Sequence, residues 1–229
     1  MPPFHLPAPM NLSSKNRLTV KESFLFPGDN LRDKVGRAVC EAGCLPRKEL
    51  FEAWEVARRI RRRFRGGRVV DLACGHGLTA ALLLLLDDTS PEAFAVDRSI
   101  PASAGKLHEV LVERWPRLEG RVAFEEKSLL DVPLSSRDLV VSVHACGGLT
   151  DLILARAAEA GARVAVLPCC HNLSESDKGS LDGWIDAPMA VDITRANCLK
   201  SKGYRIYTQT IPSEITPKNR LLLAEPPQD

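Results

Sequence analysis

No run in this 229-residue sequence approaches the roughly 18 consecutive apolar residues that a membrane-spanning helix needs. The longest, Ala80 to Leu86, stops at Asp87 and Asp88. The first twenty residues, which carry Pro2, Pro3, Pro7 and Pro9 and hold no continuous apolar core, do not read as a secretory leader. Nor is there an excess of charge of one sign, since 31 Lys and Arg stand against 29 Asp and Glu for a net charge of +2. Seven cysteines, an odd number without an export signal, read as reduced thiols rather than a disulfide framework. The expectation is a soluble, cytoplasmic protein with no membrane partner. With 45% hydrophobic and 26% charged residues, collagen, coiled-coil and disordered chains are excluded. A chain of this length buries roughly 70–75% of its unfolded surface, so folding requires neither a disulfide nor a structural metal.

What is present divides into three parts: a loose proline-rich arm over 1–28, a helical extension over 29–66 and an α/β domain over 67–229. In the extension, Leu31 to Ala42 reads as a helix entered through Asp29 or Asn30 and closed by Gly43. Arg47 to Arg65 reads as a second, with Leu50, Trp54, Val56, Ala57, Ile60 and Phe64 near helical spacing. Arg58, Arg59, Arg61, Arg62, Arg63, Arg65 and Arg68 crowd around its end. That run is either a solvated face paired in part with Glu55 or a basic face for nucleic acid, with Arg61 and Arg62 as candidate substrate contacts.

After Gly67 the period changes. Arg68–Ala73, Ala93–Asp97, Arg121–Phe124, Asp138–Val143 and Arg163–Leu167 are short β-branched runs of the kind that form buried parallel strands. Helical segments alternate with them at Leu78–Leu86, Ala102–Trp115 and Leu149–Ala160. A helix over Val191–Lys202 then leads to Tyr204–Ile211 and Leu221–Glu225, two strands with no helix between them, which predicts an antiparallel pair. The expected architecture is a Rossmann-like, doubly wound, three-layer sheet.

The stretch Val69-Val70-Asp71-Leu72-Ala73-Cys74-Gly75-His76-Gly77 runs from a strand through a glycine turn into a helix, the arrangement that aims backbone N–H groups at a ligand. Asp97, twenty residues past Gly77, is placed for a ribose. Gly75 to Ala80 also fits the dinucleotide fingerprint, so an NAD-dependent oxidoreductase is an alternative. Asp71 and the terminal strand pair separate the two readings, because a carboxylate there suits a cationic ligand and repels a pyrophosphate. Together these features resemble the class I S-adenosylmethionine-dependent methyltransferases, with a seven-stranded sheet ending in an antiparallel strand. The resemblance implies that Asp71, Gly75 and Gly77 hold the methionine part of S-adenosylmethionine and Asp97 its ribose. Ser128 stands where many members carry an acid for the adenine.

Two further segments follow strands: His144-Ala145-Cys146-Gly147-Gly148-Leu149-Thr150-Asp151 and Pro168-Cys169-Cys170-His171. They resemble a methyltransferase family that includes the eukaryotic tRNA 2′-O-methyltransferases, through His144, Cys146, Gly147, Thr150, Asp151, Cys169, Cys170 and His171. The zinc-finger modules of those tRNA enzymes have no counterpart here. The resemblance implies transfer to RNA, tRNA-like, at a hydroxyl or base, with a small-molecule or protein acceptor as the alternative. His171 and His144 are candidate general bases, since histidine titrates near neutrality. Cys170 and Lys218 complete the catalytic candidates, His144 also borders the expected cofactor, and Lys218 and Arg220 are candidates for gripping a phosphate. A thiol nucleophile and a zinc site built from Cys146, Cys169, Cys170 and His171 are weighed as well. Separated Cys-x-x-Cys pairs are missing, and no metal is expected.

Overall fold

The computed structural model describes residues 10–227. Helix α1 (Leu31–Ala42) starts where the Asn30 side chain accepts the N–H of Asp33, and it ends on Gly43 at φ +66°. Helix α2 (Arg47–Arg63) buries Leu50, Val56, Ala57 and Ile60 and stops at Phe64. Then follow β1 (Val69–Leu72), α3 (Leu78–Leu86), β2 (Ala93–Asp97), α4 (Ser103–Arg114), β3 (Val122–Glu126), β4 (Leu139–Ser142), α5 (Gly148–Glu159) and β5 (Arg163–Val166). The chain finishes with α6 (Ala187–Ser201), β6 (Arg205–Thr210) and β7 (Arg220–Glu225).

The seven strands lie in the order β3-β2-β1-β4-β5-β7-β6. The first five pair in parallel, Val69 beside Ala93 and Leu139, and Val140 beside Val164. Strand β7 runs antiparallel to both β5 and β6, with Ala165 opposite Leu223 and Tyr207 opposite Leu223. The expected α/β class and terminal antiparallel pair are therefore observed. Neighbouring residues of one strand point to opposite sides: Val69, Leu139 and Val141 join α1–α4 in one core, and Val70, Leu72 and Val140 join α5 and α6 in the other. Strand order reverses between β1 and β4, so the carboxyl ends of β1, β2 and β4 open a crevice.

One expectation fails here. Residues 10–28 are not a loose arm: Leu18 and Phe26 are buried at 0% and 1% exposure, and the Leu18 N–H donates to Leu45 O at 2.9 Å. A short 3-10 turn, Val20–Leu25, is fixed by a capping box between Thr19 and Glu22. The four prolines that suggested looseness all precede residue 10 and lie outside the described residues; the apolar anchors lie after them. Among the described residues no helix is long and apolar enough to cross a membrane.

Candidate active site

The glycine turn after β1 is held by its own backbone. The Cys74 N–H donates to Val96 O at 3.1 Å, the Gly77 N–H donates to Cys74 O at 2.9 Å, and Ala73, Gly75 and Gly77 all take positive φ. At Gly77 a Cβ would stand 2.6 Å from the Phe124 ring, so no other residue fits under β3. At Gly75 the corresponding space is open, because that backbone forms the wall of a cavity of about 350 Å³. Cys74, Gly75, His76, Asp97 and His144 line it from the sheet, and Leu45, Glu49 and Ala53 line it from the extension.

Asp97 ends β2 inside this cavity. Its Oδ2 accepts the Gly75 N–H at 3.0 Å and its Oδ1 the Arg98 N–H at 2.7 Å, leaving lone pairs for a ligand. Asp71 is placed differently. Its carboxylate is 2% exposed, does not line the cavity, and accepts the Ala80 N–H in the first turn of α3 at 3.2 Å. Burial pushes its carboxyl up to about 7, with the nearby Asp97 charge adding to the effect. Ser128 caps the turn Leu129–Asp131 through the Leu130 N–H, away from the lining. A glycine-walled recess lined by a carboxylate with lone pairs to spare fits a nucleoside-bearing sulfonium donor.

Beside the cavity, the loops after β4 and β5 are joined. The Gly147 N–H donates to Cys170 O at 2.9 Å. Thr150 Oγ1 donates back to Ala145 O at 2.8 Å. Arg195 of α6, 4% exposed, grips Asp151 through two bonds of 2.7 and 2.9 Å and donates to Gly147 O. His171 belongs to this frame: its side chain is 7% exposed and its Nε2 lies 2.7 Å from Asp192 Oδ1. The other Asp192 oxygen accepts from Arg220 Nε at 2.7 Å, so Arg220 is committed to an internal pair. The residues that face outward are His144, 40% exposed, and Cys146, Cys170 and Lys218. Lys218 Nζ donates to Cys170 Sγ at 3.2 Å, and this ammonium holds the Cys170 thiol below its ordinary value. Burial and two adjacent thiols push Cys169 up.

Behind His144 lies a residue the sequence did not single out. Glu52 of α2 is 3% exposed in its side chain; its Oε1 pairs with Lys48 at 2.8 Å, and its Oε2 sits 3.7 Å from His144 Nε2 with no hydrogen-bond partner. Asp192 and Arg195 were equally invisible, since His171, Arg220, Asp151 and Gly147, which they hold, are all more than twenty residues away along the chain.

The arginine cluster requires correction. Arg61 is 2% exposed; it donates to Leu83 O and Ser90 Oγ and pairs with Asp87 at 3.2 Å, so it is a core residue and not a substrate contact. Arg58 and Arg59 pair with Glu55, Arg63 with Glu225, Arg65 with Asp87, and Arg68 with Asp138. Arg62 stays exposed; Arg63 and Arg68 pair with acids at the amino end of the sheet, whereas Arg59 donates to Thr210 O at the carboxyl end of β6, the end that carries the cavity.

A second cavity, of about 490 Å³, lies between α6 and the β6–β7 pair, bordered by Pro168, Asp192 and Arg220.

Comparison with known proteins agrees with this geometry. A family of methyltransferase domains matches residues 50–176, more than half of the chain. Sequence comparison with curated proteins finds no match. Among solved structures, a putative rRNA-methylase from Clostridium thermocellum superimposes with a TM-score of 0.53 at 16% identity, over 76% of this chain and 94% of that one. The mitomycin 7-O-methyltransferase MmcR gives 0.51 at 18% identity over 90% of this chain, and an O-methyltransferase family protein from Burkholderia thailandensis gives 0.50 at 18% over 94%. This chain spans 60% and 65% of the lengths of those last two. At such identities the superpositions establish the shared fold. The family match decides between the two nucleotide readings of the turn after β1: the chain belongs to the methyltransferase-domain family.

Proposed function

We propose that the protein methylates RNA, tRNA-like, at a hydroxyl or base presented to the rim formed by His144, Cys170 and Lys218. The observation that carries this reading is the convergence of the two motif segments beside the donor cavity, tied by the Gly147 N–H to Cys170 O bond. S-adenosylmethionine supplies an electrophilic methyl group on a sulfonium. Gly75 and Asp97 hold its nucleoside end, and Asp71 acts from beneath by fixing the start of α3. The remaining work is to position the acceptor in line and to take its proton.

His144 fills that second role best. It borders the cavity, is accessible, and has the unpaired Glu52 oxygen behind it to stabilise the imidazolium formed when the acceptor proton arrives. Lys218 draws in a phosphate or an acceptor oxygen. His171 serves the site indirectly, by joining the loop after β5 to Asp192.

A small-molecule or protein acceptor is the second reading. The pairing of the arginine cluster favours it, since Arg58, Arg59, Arg61, Arg63, Arg65 and Arg68 are all engaged by acids of the same chain. Labelled methyl transfer into total RNA, with a metabolite extract and a protein extract run in parallel, distinguishes them. Ribonuclease-sensitive label that disappears in Lys218→Ala supports RNA; label confined to the metabolite or protein fraction replaces it.

A further inference from the structure

Three thiols at the rim exceed what methyl transfer needs. Cys146, after β4, and Cys169 and Cys170, after β5, bring their sulfurs within 4.8 Å of one another. All three are free, and Cys146 and Cys169 Sγ approach to 2.9 Å. The sequence raises these three thiols with His171 as a zinc set and sets it aside for want of a Cys-x-x-Cys pair; the folded sheet brings the three sulfurs together.

We propose that Cys146, Cys169 and Cys170 form a three-thiolate Zn²⁺ site whose fourth position opens onto the acceptor rim. Zinc–sulfur bonds of about 2.3 Å set tetrahedral sulfurs about 3.8 Å apart, between the 2.9 Å of the Cys146–Cys169 pair and the 4.8 Å that bounds all three. Three sulfur donors with no carboxylate among them select a soft d¹⁰ ion and disfavour magnesium or calcium. Charge is met as well: three thiolates leave a zinc dication with one net negative charge, and the Lys218 ammonium stands 3.2 Å from Cys170 Sγ. The frame is fixed without an ion, because the buried Arg195 holds the loop after β4, His171 ties the loop after β5 to Asp192, and the Gly147–Cys170 backbone bond joins the two.

The fourth position is open for a structural reason. His171, the neighbouring imidazole, brings neither ring nitrogen into the cluster of three sulfurs, while Cys146 and Cys170 are exposed. A site of three fixed ligands and one exchangeable position is the pattern of zinc that acts on a substrate, and its position beside His144 suits an acceptor bearing a sulfur, nitrogen or oxygen donor.

The test uses the full chain, reduced and stripped with a chelator, titrated with Zn²⁺ against a chromophoric competitor. One zinc per chain is expected, and Co²⁺ in its place should give an intense thiolate-to-cobalt charge-transfer band. Cys146→Ser and Cys170→Ser should each weaken zinc affinity at least a hundredfold, whereas Cys198→Ser on α6 should leave it unchanged. Circular dichroism and S-adenosylmethionine binding show that each variant is folded. Substoichiometric uptake by the wild type, or uptake indifferent to the two serine variants, overturns the proposal. So does a mass lower by two hydrogens that maps to a Cys146–Cys169 disulfide forming in place of zinc uptake under zinc-replete, reducing conditions. None of these readings depends on which acceptor is methylated.

Discussion

Glu52 directs a buried carboxylate oxygen, without a hydrogen-bond partner, at the imidazole of His144 from 3.7 Å. The two residues come from different parts of the chain, one from α2 and one from the loop after β4. A buried charge left half-satisfied is costly, on the order of 1–3 kcal/mol or more, and such a cost is retained where it serves a site.

Replacing His144 with Gln should therefore lower kcat roughly a hundredfold, the usual contribution of a general base. Glu52→Gln should lower kcat about tenfold while KM for S-adenosylmethionine stays within about twofold, because Glu52 stands behind the cavity lining. Steady-state kinetics on both variants measures the split. A Glu52 variant that changes only KM, or neither constant, removes it from the catalytic apparatus.

Asp97→Ala should abolish measurable S-adenosylmethionine binding in calorimetry. It removes the carboxylate facing the ligand and also the acceptor that holds the Gly75 N–H, and charge-assisted bonds contribute roughly 1.5–3 kcal/mol each. Unchanged affinity would locate the donor elsewhere, the cavity under α6 being the next place to look.

Asp71 predicts a pH effect on the cofactor-free protein. Its folded pKa, about 7, lies above the ordinary 3.8, so its contribution to stability is complete below about pH 4 and is lost as pH rises through 7. Asp71→Asn keeps an acceptor for the Ala80 N–H and carries no charge. Its melting temperature should exceed that of the wild type by a margin that grows between pH 4 and 7 and then levels off, corresponding to roughly 4 kcal/mol at most. A margin independent of pH would mean that Asp71 is ionised throughout.

The arginine cluster separates stability from substrate binding. Arg61→Ala breaks a buried ion pair with Asp87 and removes the donor to Leu83 O and Ser90 Oγ, and should cost about 3–5 kcal/mol in denaturant unfolding. Arg62→Ala should change stability by no more than about 0.5 kcal/mol. It should also leave the salt dependence of any RNA binding unaltered, and a reduced slope would bring Arg62 back into the substrate path.

Much of this architecture was legible because its signals are local. Helix α1 was readable to its ends from Asn30 and Gly43, and α3 and β2 from apolar runs stopped by Asp87 and Arg98. The glycine turn and Asp97 were readable because their spacing along one βαβ unit carries the chemistry. Illegible were the relationships that only the folded sheet creates. An arginine at helical spacing looks the same whether Ser90 and Asp87 enclose it, as they do Arg61, or solvent does, as for Arg62. His171 and Arg220 read as reactive until Asp192, on a separate helix, is seen to hold both. Leu18 and Phe26 could not be recognised as anchors without the surface they cover.

The position of β7 between β5 and β6 governs the order in which the molecule can be completed. Strand β6 is made first but pairs only with β7, so residues 205–210 have no place in the sheet until residues 220–225 arrive. Until then the edge of β5 stays uncovered, along with the loop that bears Cys169 and Cys170. Nascent chains on the ribosome would thus hold the glycine-walled cavity before the loop after β5 is covered, and premature release would leave an aggregation-prone strand edge beside it.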